Sequence, residues 1–216
     1  MKIFNKKILF RVSILLTLLI IYISISAISY ANIISSNLSE SVFRLHVIAN
    51  SDSEEDQNLK LKVRDSLLEY MNSLSTTEMT KTEVMEIANS HLEDFNNIAT
   101  EVILSEGYNY PVNVSIGKCD FPTKNYGDVS FPAGNYDALR VQIGNSEGHN
   151  WWCVMFPPLC FVDVSSGVVP DSSKEILKDS LDNEEYEIIT ADSSSNNNST
   201  IKFKIVEIVQ QLKSRI

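Results

Sequence analysis

A histidine and a cysteine four positions apart are the first residues in this sequence that could do chemistry together. His149 and Cys153 lie within the segment 148–153. A thiolate and an imidazole base form a nucleophilic pair, and Asp137 or Asp163 could orient the imidazole. On a strand, however, the two residues would lie more than one pleat apart, and a strand cysteine is usually a buried hydrophobe. A thiol hydrolase that acts in the envelope space through Cys153 and His149 is therefore an alternative to a protein that works by binding. We expect no catalytic residues.

A second group of polar residues lies where a predicted strand meets a predicted helix. His46, Asn50, Asp52 and Asp56 occupy this junction. Their spacing does not match a zinc or calcium loop, so we predict no metal site and no cofactor. One interpretation is turn formation and helix capping, because short polar side chains hydrogen-bond to nearby backbone. The other is contact with a partner, and both stay open.

Two adjacent tryptophans suggest recognition rather than catalysis. Neighbouring side chains on a strand point to opposite faces, so Trp151 and Trp152 can both be buried only if both faces are covered. One of them could instead be an exposed anchor, since tryptophan is enriched among residues that dominate binding. The predicted partner-binding residues are Trp151, Trp152, His149, His46, Asn50 and Asp52.

The three cysteines are too few, and odd in number, for a disulfide framework. Cys153 and Cys160 flank two prolines and could be bridged across a turn in an oxidising compartment. These two residues and Cys119 could equally be small buried hydrophobes, because sequence alone does not fix disulfide geometry. A Cys153–Cys160 disulfide is therefore possible, and both alternatives stay open.

The elements that position these residues begin with an apolar leader. An apolar stretch over residues 12–28, which lacks a polar face, follows four basic residues: Lys2, Lys6, Lys7 and Arg11. This order is typical of an export signal, and the chain that follows it is translocated. Ser29 and Ala31 place small residues at a possible cleavage site, and the strongest apolar run, 14–23, is nearer the length of a signal peptide, which slightly favours cleavage. Residues 24–31 are, however, apolar enough to extend this run into a membrane span. We predict a signal peptide or membrane anchor over residues 1–31.

The rest of the chain predicts one acidic domain. A tether over residues 32–40 leads into residues 41–216, which are enough to build a real core. Beyond residue 31 there are 14 basic and 28 acidic residues, a net charge of −14. This charge repels phosphate backbones, so we expect no nucleic-acid partner. Membrane contact is expected only through residues 12–31, if the leader is uncleaved.

Hydrophobic periodicity predicts strands and helices in separate stretches. A strand over 41–48 leads into a helix that ends near Leu74, and a second helix runs from Thr80 to about Leu104. Strands follow over 112–116, 137–143 and 151–156, the last two of which look like a hairpin.

The pattern continues to the C-terminus with a short helix over 171–182, a flexible polar loop over 193–199 and a terminal helix over 200–216. The fold class predicted from this order is α+β, because strands and helices are segregated. We expect an antiparallel sheet with a helical pair packed on one face, preceded by the N-terminal export or transmembrane segment.

Two long blocks of the sequence resemble the stage II sporulation protein R family. The first comprises residues 43–53 (FRLHVIANSDS) with 55–57 and 59–65. The second comprises residues 134–141 (GNYDALRV) and 148–161 (GHNWWCVMFPPLCF). Two blocks in the same order are far more specific than one short motif. The resemblance runs from about residue 41 to 164, and it assigns no role to the tail beyond Val164.

The resemblance implies a signalling protein of endospore formation. Such a protein is made in the forespore and exported across the forespore membrane into the intermembrane space, where it is secreted or anchored by its N-terminus. There it is expected to activate a membrane-embedded aspartic protease of the facing membrane, which matures pro-sigma-E. The resemblance implies a signal rather than an enzyme, and it brings no catalytic residues with it.

Overall fold

One continuous helix joins the apolar leader to the folded domain. The computed structural model, which describes residues 6–76, 78–160, 169–190 and 197–213, forms helix α1 over Lys6–Ser41. Its stretch Ile8–Ser41 is long and apolar enough to cross a membrane. Side chains from residue 8 to 26 are exposed, whereas Ala31, Ile34 and Leu38 are buried. Residues 32–40 therefore do not form the expected tether, because one face of the helix here is apolar and the domain covers it.

A four-stranded mixed sheet forms the centre of the domain. Its strands are β1 (Phe43–Ile48), β2 (Val112–Phe121), β5 (Gly134–Ile143) and β6 (Asn150–Phe156), in the order β2-β5-β1-β6. Strand β1 runs parallel to β5 and antiparallel to β6, and β2 runs antiparallel to β5. The sheet is therefore antiparallel, as expected, in two of these three pairings. A separate hairpin consists of β3 (Lys124–Tyr126) and β4 (Val129–Phe131).

The predicted hairpin between residues 137–143 and 151–156 is wrong. These residues fall in β5 and β6, and β1 lies between those two strands. All six residues of β1 are buried, which fits a strand with a neighbour on each side. The connection from β5 to β6 therefore passes across the end of β1 instead of forming a tight turn.

Three helices follow β1 in the chain and pack against the sheet. They are α2 (Glu54–Leu74), α3 (Lys81–Ser90) and α4 (Leu92–Ser105), with α2 packed on α4. Ser53 caps α2, whose first turn is acidic, and Thr80 and Glu83 form a capping box at α3. The predicted second helix is interrupted at His91, which ends α3 and begins α4. The α+β class is confirmed.

The C-terminal part of the chain is helical and packs against the end of the leader helix. It contains α5 (Asp171–Ser180), α6 (Asn183–Ile189) and α7 (Asn197–Lys213). Helices are thus present where a short helix and a terminal helix were predicted, and residues 214–216 of the latter lie outside the described residues. Of the predicted flexible loop, residues 193–196 lie outside the described residues, and residues 197–199 begin α7. Helix α7 packs against both α1 and α6.

Candidate functional site

The junction after β1 and the turn before β6 hold each other in place through backbone hydrogen bonds. The N–H of Gly148 donates to the carbonyl oxygen of Ala49 at 3.0 Å, and that of Glu147 donates to the carbonyl oxygen of Asn50 at 3.2 Å. The side-chain oxygen of Asn50 also accepts from the N–H of Asn145 at 2.9 Å. Two segments about a hundred residues apart in the sequence therefore form one unit, which we call the junction–turn site (residues 49–60 and 144–150).

Two glycines make this close approach possible. A Cβ at Gly148 would lie 2.2 Å from the carbonyl oxygen of Ser51. Gly144 has a φ of +57°, and a Cβ there would lie 2.1 Å from the side-chain oxygen of Asn50. Larger residues at either position would push the two segments apart. The sequence places glycines in this turn, but it does not reveal what they approach.

Asp56 is the internal acceptor of the junction–turn site. Its Oδ2 accepts from Asn50 Nδ2 at 2.7 Å and from Ser51 Oγ at 2.6 Å, while its own N–H donates to Ser53 Oγ at 3.2 Å. Burial acts to raise the pKa of Asp56, but these side-chain hydrogen bonds keep it below the ordinary value. Capping and turn formation are therefore what Asn50 and Asp56 do in the structure, in agreement with one of the two interpretations.

Asp52 and His149 form the exposed part of the site. The N–H of His149 donates to Asp52 Oδ1 at 2.5 Å, and the imidazole Nδ1 contacts the same oxygen. The two side chains are 78% (His149) and 54% (Asp52) exposed. The backbone hydrogen bond from His149 is the main cause of the lowered pKa of Asp52. This pair presents an imidazole and a carboxylate to solvent, and the backbone N–H of His149 fixes the carboxylate.

Lys60 supports the exposed pair from beneath, and sequence analysis missed it. The side chain is buried, and its Nζ donates to the carbonyl oxygen of His149 at 2.9 Å and to Gln57 Oε1 at 2.5 Å. Burial lowers the pKa of Lys60, and the charge of Asp52 acts in the opposite direction. A lysine one helical turn after Asp56 resembles any surface lysine of an amphipathic helix, so the sequence gives no signal of this contact.

His46 is part of the core and not of an exposed contact surface, contrary to its prediction as a partner-binding residue. It is 5% exposed, and its ring stacks on Trp152 with a centroid distance of 3.7 Å. Its Nε2 donates to Asn150 Oδ1 at 2.7 Å. Burial lowers the pKa of His46 to about 4, so the ring is neutral at physiological pH. The structure therefore places His46 beneath the site and not in contact with solvent.

The two tryptophans lie on opposite faces of β6, and both are partly buried. Trp152 contacts His46 and, edge-on, the ring of Phe121. Trp151 lies under the guanidinium group of Arg64, which is 4.1 Å from the indole centroid. Each tryptophan thus has a covered face, and neither projects freely as an anchor. Both side chains nevertheless remain partly exposed.

The structure does not assemble the Cys/His pair. Cys153 is buried and forms a disulfide with Cys160, with their Cα atoms 5.3 Å apart. No thiol is therefore available at Cys153, and the imidazole of His149 contacts Asp52. Asp137 pairs with Lys81 at 2.6 Å and Lys118 at 3.0 Å. Asp163 lies outside the described residues, within which no group of three or more His, Cys, Asp or Glu side chains could hold a metal ion.

A buried arginine lies behind the site, and the sequence did not indicate it. The side chain of Arg44 is fully buried, and its Nη2 donates to the hydroxyl oxygen of Tyr126 at 2.6 Å. The guanidinium carbon is 3.9 Å from the Phe121 ring centroid and 4.6 Å from that of Tyr136. Cation–π contacts of this kind offset part of the cost of burying the charge. The arginine thereby links the β3–β4 hairpin to the sheet.

Comparison with known proteins identifies the family. The model of the stage II sporulation protein R family matches residues 39–166. The chain belongs to this family. Stage II sporulation protein R of Bacillus subtilis (strain 168) is 35% identical to it over 186 residues, which cover 81% of this chain and 83% of that protein. No solved structure matches the chain.

Family membership confirms the resemblance and gives the chain a role in sporulation. The matched residues include β1, the whole junction–turn site and both cysteines of the disulfide. Helices α5 to α7 follow the match, so the family model says nothing of them. The family's name denotes a sporulation protein and no reaction, and the apolar helix α1 is consistent with a signal peptide or membrane anchor.

Proposed function

We propose that this protein is an intercompartmental signal of endospore formation. It is exported across the forespore membrane into the intermembrane space, and its domain activates a membrane-embedded aspartic protease of the facing membrane that matures pro-sigma-E. The observation that carries this proposal is family membership over residues 39–166. The apolar leader supports it as well, because a signal between compartments must cross the membrane of the cell that makes it.

The activation step is a shift of the protease between two states. A ligand drives such a shift only by binding the active state better than the inactive one. Moving the active fraction from about 1% to about 99% requires a difference of about 5.5 kcal/mol in binding free energy. A standard interface of about 1,600 Å², in which a few residues carry most of the binding energy, can supply this difference.

The junction–turn site is the surface that we assign to the receptor. Its exposed pair, Asp52 and His149, is held by backbone hydrogen bonds and by Lys60. A surface ordered before binding loses little entropy when it binds, which favours affinity. The partly exposed rings of Trp151 and Trp152 lie beside His149 in the sequence and would supply apolar contact area, with His149, Asp52 and Asn50 at the rim and His46 supporting Trp152 from below.

The proposal is tested by reconstituting the pathway in a host that does not sporulate. The full chain, the protease and pro-sigma-E are produced together, and the length of the sigma factor precursor is followed by immunoblot. We expect the shortened form only when the chain is present. The matched control is a chain that lacks residues 1–30, which retains the buried part of α1 but stays in the cytosol. Equal maturation with this control, or none with the exported chain, would overturn the proposal.

A further inference from the structure

The outer face of α7 carries an apolar stripe that the domain does not cover. Ile201, Ile208 and Leu212 are 59%, 56% and 58% exposed, and their spacing of seven and four places them on one side of the helix. Phe203 and Val206, on the other side, are buried. Apolar side chains thus occur on both sides of this helix, and only one side is used by the core.

Helix α7 crosses α1 instead of running along it. Near its start, Lys202 Nζ donates to Glu184 Oε1 at 2.6 Å, and this same oxygen accepts from the hydroxyl group of Tyr30 at 2.9 Å. At its end, Lys213 Nζ donates to Asn32 Oδ1 at 2.6 Å. Eleven residues of α7 span about 16 Å, whereas the two residues from Tyr30 to Asn32 advance only about 3 Å along α1. Both ends of α7 therefore lie at nearly the same level of the leader helix.

Near that level one face of α1 becomes buried, while Ile33 on the other face stays 60% exposed. Ile28 is still largely exposed, and Ala31 is fully buried against the domain. For a leader helix that spans a membrane, this change marks the point at which it leaves the bilayer. A helix that crosses the span at this point lies along the membrane surface.

We propose that α7 is an interfacial helix, which rests on the surface of the same membrane that α1 spans. Ile201, Ile208 and Leu212 would enter the boundary between headgroups and acyl chains, as in other amphipathic membrane-surface helices. Charge supports this choice of occupant through Lys213, whose Nζ contacts the neutral amide of Asn32 beside the leader. The other two lysines of α7, Lys202 and Lys204, pair with Glu184 and Glu207. Basic side chains at a membrane surface are attracted by anionic lipids. The inference requires that α1 is retained, and it does not depend on the receptor.

The test uses the full chain with its leader intact, in vesicles of phosphatidylcholine and phosphatidylglycerol. In a Cys119→Ala background, Ile208→Cys and Leu212→Cys are each labelled with an environment-sensitive fluorophore. The matched control is Leu104→Cys on α4, where the native leucine is 54% exposed but lies on another helix. We expect blue-shifted emission and strong quenching by nitroxide-labelled lipid at positions 208 and 212. At position 104 we expect quenching by aqueous iodide alone.

Two results would overturn the inference. One is a pattern at positions 208 and 212 that matches position 104. The other is protection from iodide without quenching by lipid, accompanied by energy transfer between labelled copies, which would show that a second copy of the chain covers α7. Circular dichroism of each labelled variant confirms that it is folded. Pro-sigma-E maturation is scored separately, so failure here leaves the proposed signalling function standing.

Discussion

The N–H of Gly148 donates to the carbonyl oxygen of Ala49 at a distance of 3.0 Å. Through this bond the connection between β5 and β6 closes over the end of β1, the strand that separates them. The same contact brings His149 to Asp52 and to Lys60. The exposed pair that we assign to the receptor thus depends on how closely two backbones can approach.

Gly148→Ala tests this dependence. The added Cβ would meet the carbonyl oxygen of Ser51 at 2.2 Å, so the turn must move. We expect a loss of about 3 kcal/mol in the free energy of unfolding. The measurement is urea denaturation of the detergent-solubilised chain, followed by tryptophan fluorescence.

The control for this variant is Gly117→Ala on β2. A Cβ at Gly117 meets no atom within 4 Å, so the same change in backbone entropy occurs without a clash. We expect a free energy of unfolding within about 1 kcal/mol of the native chain. Equal effects at the two glycines would show that the approach to Ser51 does not stabilise the domain.

His46 should make stability depend on pH. Its pKa of about 4 in the folded chain lies below the unfolded value of 6.5, so between these values the unfolded chain binds more protons. Stability is therefore complete above about pH 6.5, and it falls as the pH decreases toward 4, by about 2 to 3 kcal/mol in total. His46→Gln should be less stable at pH 7, and its free energy of unfolding should depend less on pH between 7 and 4.

The control for the pH dependence is His149→Gln, because the side chain of His149 is largely exposed. Urea denaturation at a series of pH values between 7 and 4 gives the slope for each chain. We expect a larger change of slope in His46→Gln than in His149→Gln, because only His46 is buried. An unchanged slope in His46→Gln would show that another group titrates.

Local chemistry at the junction was predictable from the sequence, whereas strand order was not. The Ser53 cap, the acidic first turn of α2 and the boundary of β1 follow from residue type and spacing, because each interaction spans only a few residues. Alternation along a strand shows which face is apolar, but it does not identify the neighbouring strand. The alternation of apolar residues in β5 and in β6 therefore does not predict that β1 lies between them.

Arg44 and Lys60 show a second limit of sequence analysis. A charged residue on an amphipathic element is normally solvent-exposed. Arg44 is buried because Phe121, Tyr126 and Tyr136, which are distant in the sequence, surround its guanidinium group. Lys60 is buried because the turn at His149 folds over it. Both contacts depend on tertiary structure, which the periodicity of a single helix or strand does not encode.

The two cysteines distinguish a signal from a thiol hydrolase. Cys153→Ser and Cys160→Ser each remove the same disulfide, and the short loop that it closes predicts a loss of about 2 kcal/mol in either case. Only Cys153→Ser would also remove the nucleophile of the hydrolase. We expect the two variants to support pro-sigma-E maturation equally. A loss confined to Cys153→Ser would instead favour the hydrolase.

His149→Ala tests the surface assigned to the receptor. Exposed pairs of this kind contribute little to stability, so we expect the free energy of unfolding to change by no more than about 1 kcal/mol. If His149 contacts the protease, the concentration of chain needed for half-maximal maturation should rise about tenfold, which corresponds to about 1.4 kcal/mol of binding. The assay titrates the chain in the reconstituted host by inducible expression.

A second exposed pair in the same domain provides the control for this variant. His91 Nδ1 lies 2.8 Å from Asp94 Oδ2, at the start of α4 and outside the junction–turn site. His91→Ala removes the same type of side chain from the same type of pair, so any general effect on solubility or export should appear in both variants. We expect maturation to need more chain only with His149→Ala. Parallel losses in the two variants, or normal maturation in both, would mean that the protease does not bind at His149.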